Sequence, residues 1–220
     1  MPFSTVRCGP QRKAMAPMEF PDFFDKAPSL TVYDPLADFL GAVENGLITY
    51  TYSDAVKLAG HSCPTVAGAF LMTVKALKHL YGDDLPVRGD VDVALRQEVS
   101  EGVAGVIASV ASLLTGAAGE GGFKGIAGRF ERRDRLHYGA DGDGEVLFRR
   151  RDTGACVIVS TNGSAVPPAP EARMLLQRIL SGEASREEAG EFRRQWQERV
   201  RRMLVDHADD PGFIHLEEAS

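Results

Sequence analysis

The sequence predicts an α+β fold: a mixed or antiparallel sheet packed with two central helices, followed by a C-terminal helical pair. Three observations carry that reading. Strand-like stretches fall at 87–95, 145–150 and 155–161. Residues 64–81 and 98–115 hold apolar or small residues at helical spacing. The strands and helices do not alternate strictly, as a parallel β-α-β sheet requires.

The chain has 220 residues, 44% hydrophobic and 25% charged, which suits one core domain with an addition. Residues 1–30 read as a Pro- and Phe-containing extension, partly disordered, with Met15 and Met18 as alternative starts. Residues 31–166 read as the α+β core, and 167–220 as a helical appendage. The formal net charge of -6 argues against non-specific nucleic-acid binding, which needs a basic face. No apolar run reaches the ~18 residues that a membrane helix needs. The first residues are too polar for a signal peptide. Three cysteines, Cys8, Cys63 and Cys156, make no disulfide framework. The expected compartment is the reducing cytoplasm.

Taken in order, 34–45 reads as a short helix with Asp34 as N-cap, Pro35 at the first position and Gly46 as the stop. Leu47-Ile-Thr-Tyr-Thr-Tyr52 alternates as a strand over 47–53. Pro64 opens the helix 64–81, where its missing N–H costs nothing. Val87–Leu95 is a strand with Val91, Val93 and Leu95 on one face. Glu98–Thr115 reads as a helix rich in small residues. Gly102 and Gly105 near its start suggest close packing, and the alternative is a helix that begins only after Gly105. Gly116–Gly122 ends it. Strand-like segments follow near 126–138, 145–150 and 155–161, the last two joined by a turn at Arg151–Gly154. Val166-Pro-Pro-Ala-Pro170 is a linker. Two helices, 170–181 and 184–207, complete the chain, with Ser185 and Glu188 as a capping box for the second. That helix interleaves arginines with glutamates, as a solvated face laced with ion pairs does. Phe192 and Trp196, four apart, dock it on the body.

The stretch Ala59-Gly-His-Ser-Cys-Pro-Thr-Val-Ala-Gly68 carries the chemistry. If its approach to the helix is extended, His61 and Cys63 point the same way. An imidazole and a thiol then converge at a helix N-terminus, whose partial positive charge favours a thiolate. That is half of a transition-metal site or half of a nucleophile–base pair. A metal needs further ligands. Glu98 and Glu101 share a helix face, and either serves as a carboxylate ligand or general base, or merely complements the helix dipole. Gly116, Gly119 and Gly121 with Lys124 form a candidate anion cradle, without the spacing of a phosphate-binding loop. Cys156 reads as a core residue and Cys8 as part of the extension. His137 reads as an exposed strand residue, and His79, His207 and His215 as surface.

Gly60-His-Ser-Cys-Pro64 feeding a helix, a second small-residue helix and then Thr115-Gly116 resemble the FmdE family, which takes its name from a component of formylmethanofuran dehydrogenase. The turn around Asp152-Thr-Gly154 is also similar, and the resemblance spans roughly 47–165. Members typically carry cysteines early in the second helix and just after the Thr-Gly. Here residues around Gly102 and Ala117 stand in those places, and a helical pair replaces the C-terminal zinc finger of many members. The resemblance implies an α+β core, a homodimer and a bound divalent transition metal, commonly zinc, with iron or nickel as alternatives. His61 and Cys63 would be ligands, completed by Glu101 or Glu98 and water. It implies no reaction. Three readings stay open. The first is a metal-binding protein, extending to a metalloenzyme that uses Glu101 on a small molecule. The second is a metal-free enzyme with Cys63 as nucleophile and His61 as base. The third is a non-catalytic accessory or sensor module whose Arg-rich C-terminal helices bind a protein partner.

Overall fold

The computed structural model describes residues 19–219. Cys8, the alternative starts and most of the predicted extension lie outside the described residues. Two sheets are present: a two-stranded one, β1-β2, and a five-stranded one ordered β4-β3-β5-β6-β7. In the small sheet β1 (Leu30–Tyr33) runs antiparallel to β2 (Leu47–Tyr50). In the large sheet β3 (Val91–Leu95) pairs in parallel with β4 (Leu136–His137) and antiparallel with β5 (Val146–Arg150). The sheet continues antiparallel through β6 (Cys156–Thr161) to β7 (Ile214–Ala219). Antiparallel pairs with one parallel edge match the expected α+β class.

Two helices sit at the centre. In α3 (Pro64–Tyr81) nearly every side chain from Val66 to Leu77 is buried, so the helix is apolar on all sides and needs cover all round. One flank receives the sheet and another receives α4 (Ala104–Thr115). The small residues that permit this are Ala104, Ala108 and Ala111, all buried. Gly102 and Gly105 are exposed, so the tight packing expected around them is absent. The helix starts at Ala104, and residues 98–103 form a turn. Gly102, at φ +46, favours that turn over another helical turn.

On β3 the predicted face is the core face: Val91, Val93 and Leu95 are buried. The same period puts Val157 and Val159 of β6 into the core, leaving Cys156 on the opposite face. Cys156 is therefore half-buried, with the Arg149 Nε donating to its Sγ at 3.2 Å. Its expected place in the core gives way to strand parity. The strand expected over 126–138 shrinks to β4, because the residues before it loop back on themselves.

Asp34 is the N-cap of α1 (Pro35–Phe39), accepting from Leu36 N at 2.9 Å and Ala37 N at 3.1 Å. The helix is shorter than 34–45 and gives way to a separate turn at Glu44–Gly46. Asp34 also takes Arg88 Nη1 at 2.8 Å and Arg132 Nη2 at 2.7 Å, far inside the protein. Gly89, at φ +94, lies beside that arginine pair, and a Cβ there would fall on the Arg132 guanidinium.

The C-terminal segment contributes residues to the main core. Helices α5 (Ala172–Leu180) and α6 (Arg186–Arg201) form, and α6 has the expected capping box, Glu188 N donating to Ser185 Oγ at 3.1 Å. Beyond α6 the helix continues as a π-helical turn over Arg202–Asp206, close to the expected helical end at 207. Val200, Met203, Leu204, Phe213 and Ile214 join the same core as α3. The chain then adds β7, which a purely helical reading of this region missed. Phe24 and Leu30, assigned to the extension, are core residues as well.

Candidate functional site

The approach to His61 is a helix, not a strand. After β2, Thr51 N and Oγ1 both donate to Asp54 Oδ2 at 2.9 Å, starting α2 (Tyr52–Ala59). Gly60, at φ 75, stops it in the left-handed region. His61, Ser62 and Cys63 therefore form a three-residue corner between two helices. The convergence expected from an extended approach still occurs, because Cys63 is extended at φ -151 and ψ 168.

At this corner His61 Nε2 lies 3.3 Å from Cys63 Sγ. His61 Nδ1 lies 3.0 Å from the Ala59 carbonyl oxygen. A carbonyl only accepts, so Nδ1 carries the proton and donates, which in the neutral tautomer leaves the Nε2 lone pair facing the sulfur. The sulfur caps α3, accepting from Val66 N at 3.5 Å. Both groups are accessible, His61 exposed and Cys63 half-buried.

Four hydrogen bonds hold the corner from behind. Trp196 Nε1 donates to the Ser62 carbonyl at 3.1 Å and Gln197 Nε2 to the same oxygen at 3.2 Å. Ser62 Oγ donates to Gln197 Oε1 at 3.0 Å, so Tyr52 Oη donates to Ser62 Oγ at 3.0 Å. Burial pushes the Tyr52 hydroxyl well above its usual value, which keeps it a donor. Sequence reasoning foresaw a docking role for Trp196 but not its target. Ser62 and Gln197 carried no signal, since 135 positions separate them, and Tyr52 acts only through Ser62. Replacing Trp196 by Phe keeps a ring beside Phe192, 5.4 Å away at present, and deletes the donor. The expected loss is about 1 kcal/mol in urea unfolding. In a background with Cys8 and Cys156 replaced by serine, Cys63 should react several-fold faster with a disulfide reagent, since its corner loosens.

The other expected site residues do not meet this corner. Glu98 and Glu101 are exposed in the turn before α4, where Glu101 Oε2 accepts from Glu98 N at 2.9 Å. They do not share a helix face. Among the described residues no group of three or more His, Cys, Asp or Glu side chains gathers as a metal ion requires. Gly116, Gly119, Gly121 and Lys124 lie at the C-terminal end of α4. Gly116 caps that helix, Ala118 N donates to Arg132 O at 2.9 Å, and Gly122 N donates to Gly119 O at 2.9 Å. Those amides serve the loop itself. His137, His79 and His215 are exposed, and His207 Nδ1 pairs with Asp210 at 2.8 Å.

A cavity of about 570 Å³ opens beside the corner, starting at Pro64, the residue after Cys63. Glu101, Val103 and Ile107 line it from the α4 side. The glycine loop is at the other end of α4, about 18 Å away for 12 residues at 1.5 Å each. Among the described residues no helix is long and apolar enough to cross a membrane.

No family model matches this chain, and no curated protein matches it. A crystal structure of a tungsten formylmethanofuran dehydrogenase FmdE-like protein from Syntrophus aciditrophicus is distantly similar. The two share 18% identity and a TM-score of 0.42, over 78% of this chain and 73% of that one. A likeness of that degree assigns neither a family nor the role of any residue.

Proposed function

We propose that this chain is a metal-associated protein in which His61 Nε2 and Cys63 Sγ supply two ligands to a divalent transition metal. Zinc is the first choice, with iron or nickel as alternatives. The supporting observation is the orientation of His61 by the Ala59 carbonyl, the outer-shell contact that fixes a metal-binding imidazole. Two such donors on a tetrahedral zinc would stand about 3.6 Å apart, given bonds near 2.3 and 2.0–2.1 Å. The observed 3.3 Å needs a shift of only a few tenths of an ångström. The remaining ligands would come from water, from Glu101 or Glu98 after movement of their turn, or from a second copy in a homodimer. When bound, such a metal with an open position supplies Lewis acidity to a small molecule. The chain's own part is to hold Nε2 and Sγ in place through Ala59, Val66 and the Ser62 clamp.

The same pair supports a second reading, a metal-free thiol enzyme. The 3.3 Å contact lets His61 take the Cys63 proton, and the Ala59 carbonyl holds the base in the required tautomer.

Elemental analysis of protein purified without a metal-binding tag separates them. The metal reading expects near-stoichiometric zinc, iron or nickel, or half that if two copies share an ion. The metal should be lost in both Cys63→Ser and His61→Ala. No metal, and no zinc uptake on titration, would overturn it. Cys63 alkylating well above the rate of free cysteine at neutral pH would then support the thiol reading.

A further inference from the structure

The cavity beside Pro64 has a composition that the corner chemistry does not use. Its walls are apolar, formed by Met72, Leu95, Ile107, Met203 and Phe213. Its size lies within the ~300–1,000 Å³ range of small-molecule sites, and a few fixed polar groups on apolar walls is their usual make-up. Four charged side chains line it: Arg96 and Arg199, Glu101 and Glu145. Arg96 and Glu101 are exposed, while Arg199 and Glu145 are half-buried.

Those two half-buried charges stand without counter-ions. Arg199 Nε donates to the Val166 carbonyl at 2.7 Å and Nη2 to the Gly163 carbonyl at 3.2 Å. Two other arginines of α6 are paired: Arg194 with Glu191, and Arg201 with Glu198 and Asp206. Burial first, then the nearby Arg202 charge, hold Arg199 below the usual guanidinium value. Glu145 Oε1 accepts from Thr161 Oγ1 at 2.8 Å and Thr161 N at 3.1 Å, both neutral donors. Among the described residues neither Arg199 nor Glu145 makes an ion pair. The two flank one short stretch, Thr161 to Gly163, so both signs sit at the same end of the cavity. A half-buried ion without its opposite is costly, and a ligand that supplies the opposite removes that cost.

We propose that this cavity binds a small apolar α-amino acid, or a molecule with the same adjacent ammonium and carboxylate. The ligand carboxylate would meet Arg199, its ammonium would meet Glu145, and its side chain would lie against Met72, Ile107 and Phe213. A plain fatty acid leaves Glu145 unpaired, and a plain amine leaves Arg199 unpaired. This inference does not depend on a metal at His61 and Cys63.

The test is calorimetric titration of the full chain with L-leucine, 4-methylpentanoate, which lacks the ammonium, and 3-methylbutylamine, which lacks the carboxylate. L-Leucine is expected to bind, with each analogue at least tenfold weaker. Glu145→Gln keeps an oxygen for Thr161 and removes the charge. It should weaken leucine at least tenfold and leave 4-methylpentanoate no weaker, with circular dichroism confirming the fold. The proposal is overturned if leucine, methionine and phenylalanine all fail to bind at millimolar concentration. It is also overturned if either analogue matches leucine, or if a folded Glu145→Gln binds leucine as before. Should that variant not fold, the analogue ranking on the unaltered protein decides.

Discussion

Asp34→Ala is expected to remove about 3–5 kcal/mol of stability, the cost of stranding buried partners of a charge. That is a large part of the ~5–15 kcal/mol that a domain has in total. Asp34 is only 3% exposed and receives Arg88, Arg132, Leu36 N and Ala37 N. Without it Arg132, only 7% exposed, has no carboxylate, and its Nη1 already lacks a partner. Helix α1 loses its cap as well. Asp34→Asn, which keeps an acceptor oxygen, should cost less. The effect also has a pH signature. Burial alone would raise the Asp34 carboxyl, but the Arg88 hydrogen bond, the Ala37 amide and the two guanidinium charges outweigh it and hold it below its usual value of 3.8. A group depressed on folding adds stability that is fully present above its unfolded value and lost as pH falls toward the folded one. Urea unfolding of the unaltered protein should therefore weaken below about pH 4. Asp34→Ala should show a shallower acid limb. An equal limb in both proteins would place the acid sensitivity elsewhere.

Deleting residues 167–220 is expected to abolish cooperative folding. Among the buried apolar side chains that the deletion removes are five large ones of the shared core, Val200, Met203, Leu204, Phe213 and Ile214. At ~1.5–3 kcal/mol each they contribute ~8–15 kcal/mol, as much as the whole net stability. It also takes away β7, so β6 becomes an open sheet edge with unpaired backbone groups. Aggregation on expression, or a melt without a sharp transition, is the expected result. A soluble truncated chain with an undiminished melting temperature would show that the core ends before the proline linker.

Local chemistry in the sequence spelled out much of the fold. Asp34-Pro35 marks a cap, Ser185 to Glu188 a capping box, and Val91, Val93 and Leu95 a buried face. All three depend on neighbours within a few residues. The misses depend on distance or on competing signals. Thr51-Tyr52 continues the alternation of β2, so the pattern hides the Thr51–Asp54 capping contact that starts α2. Ile214-His-Leu216 is too short to stand as a strand until β6 lies beside it. The His61 and Cys63 pair was legible because two residues at spacing two carry it. The ion pair of Asp34 with Arg132 was not, since 98 positions separate them. The unpaired charges of the cavity were hidden for the same reason: Glu145 and Arg199 look like ordinary members of a charged surface.

The clamp behind His61 and Cys63 also sets an order of events during synthesis. Ser62 leaves the ribosome 135 residues before Gln197. At 5–20 residues per second this is an interval of about 7–27 s. Throughout it the thiol of Cys63 has its imidazole but not its clamp, and β6 has no outer neighbour. The nascent chain thus carries its unclamped His61–Cys63 pair and its open sheet edge together, until one late segment secures both.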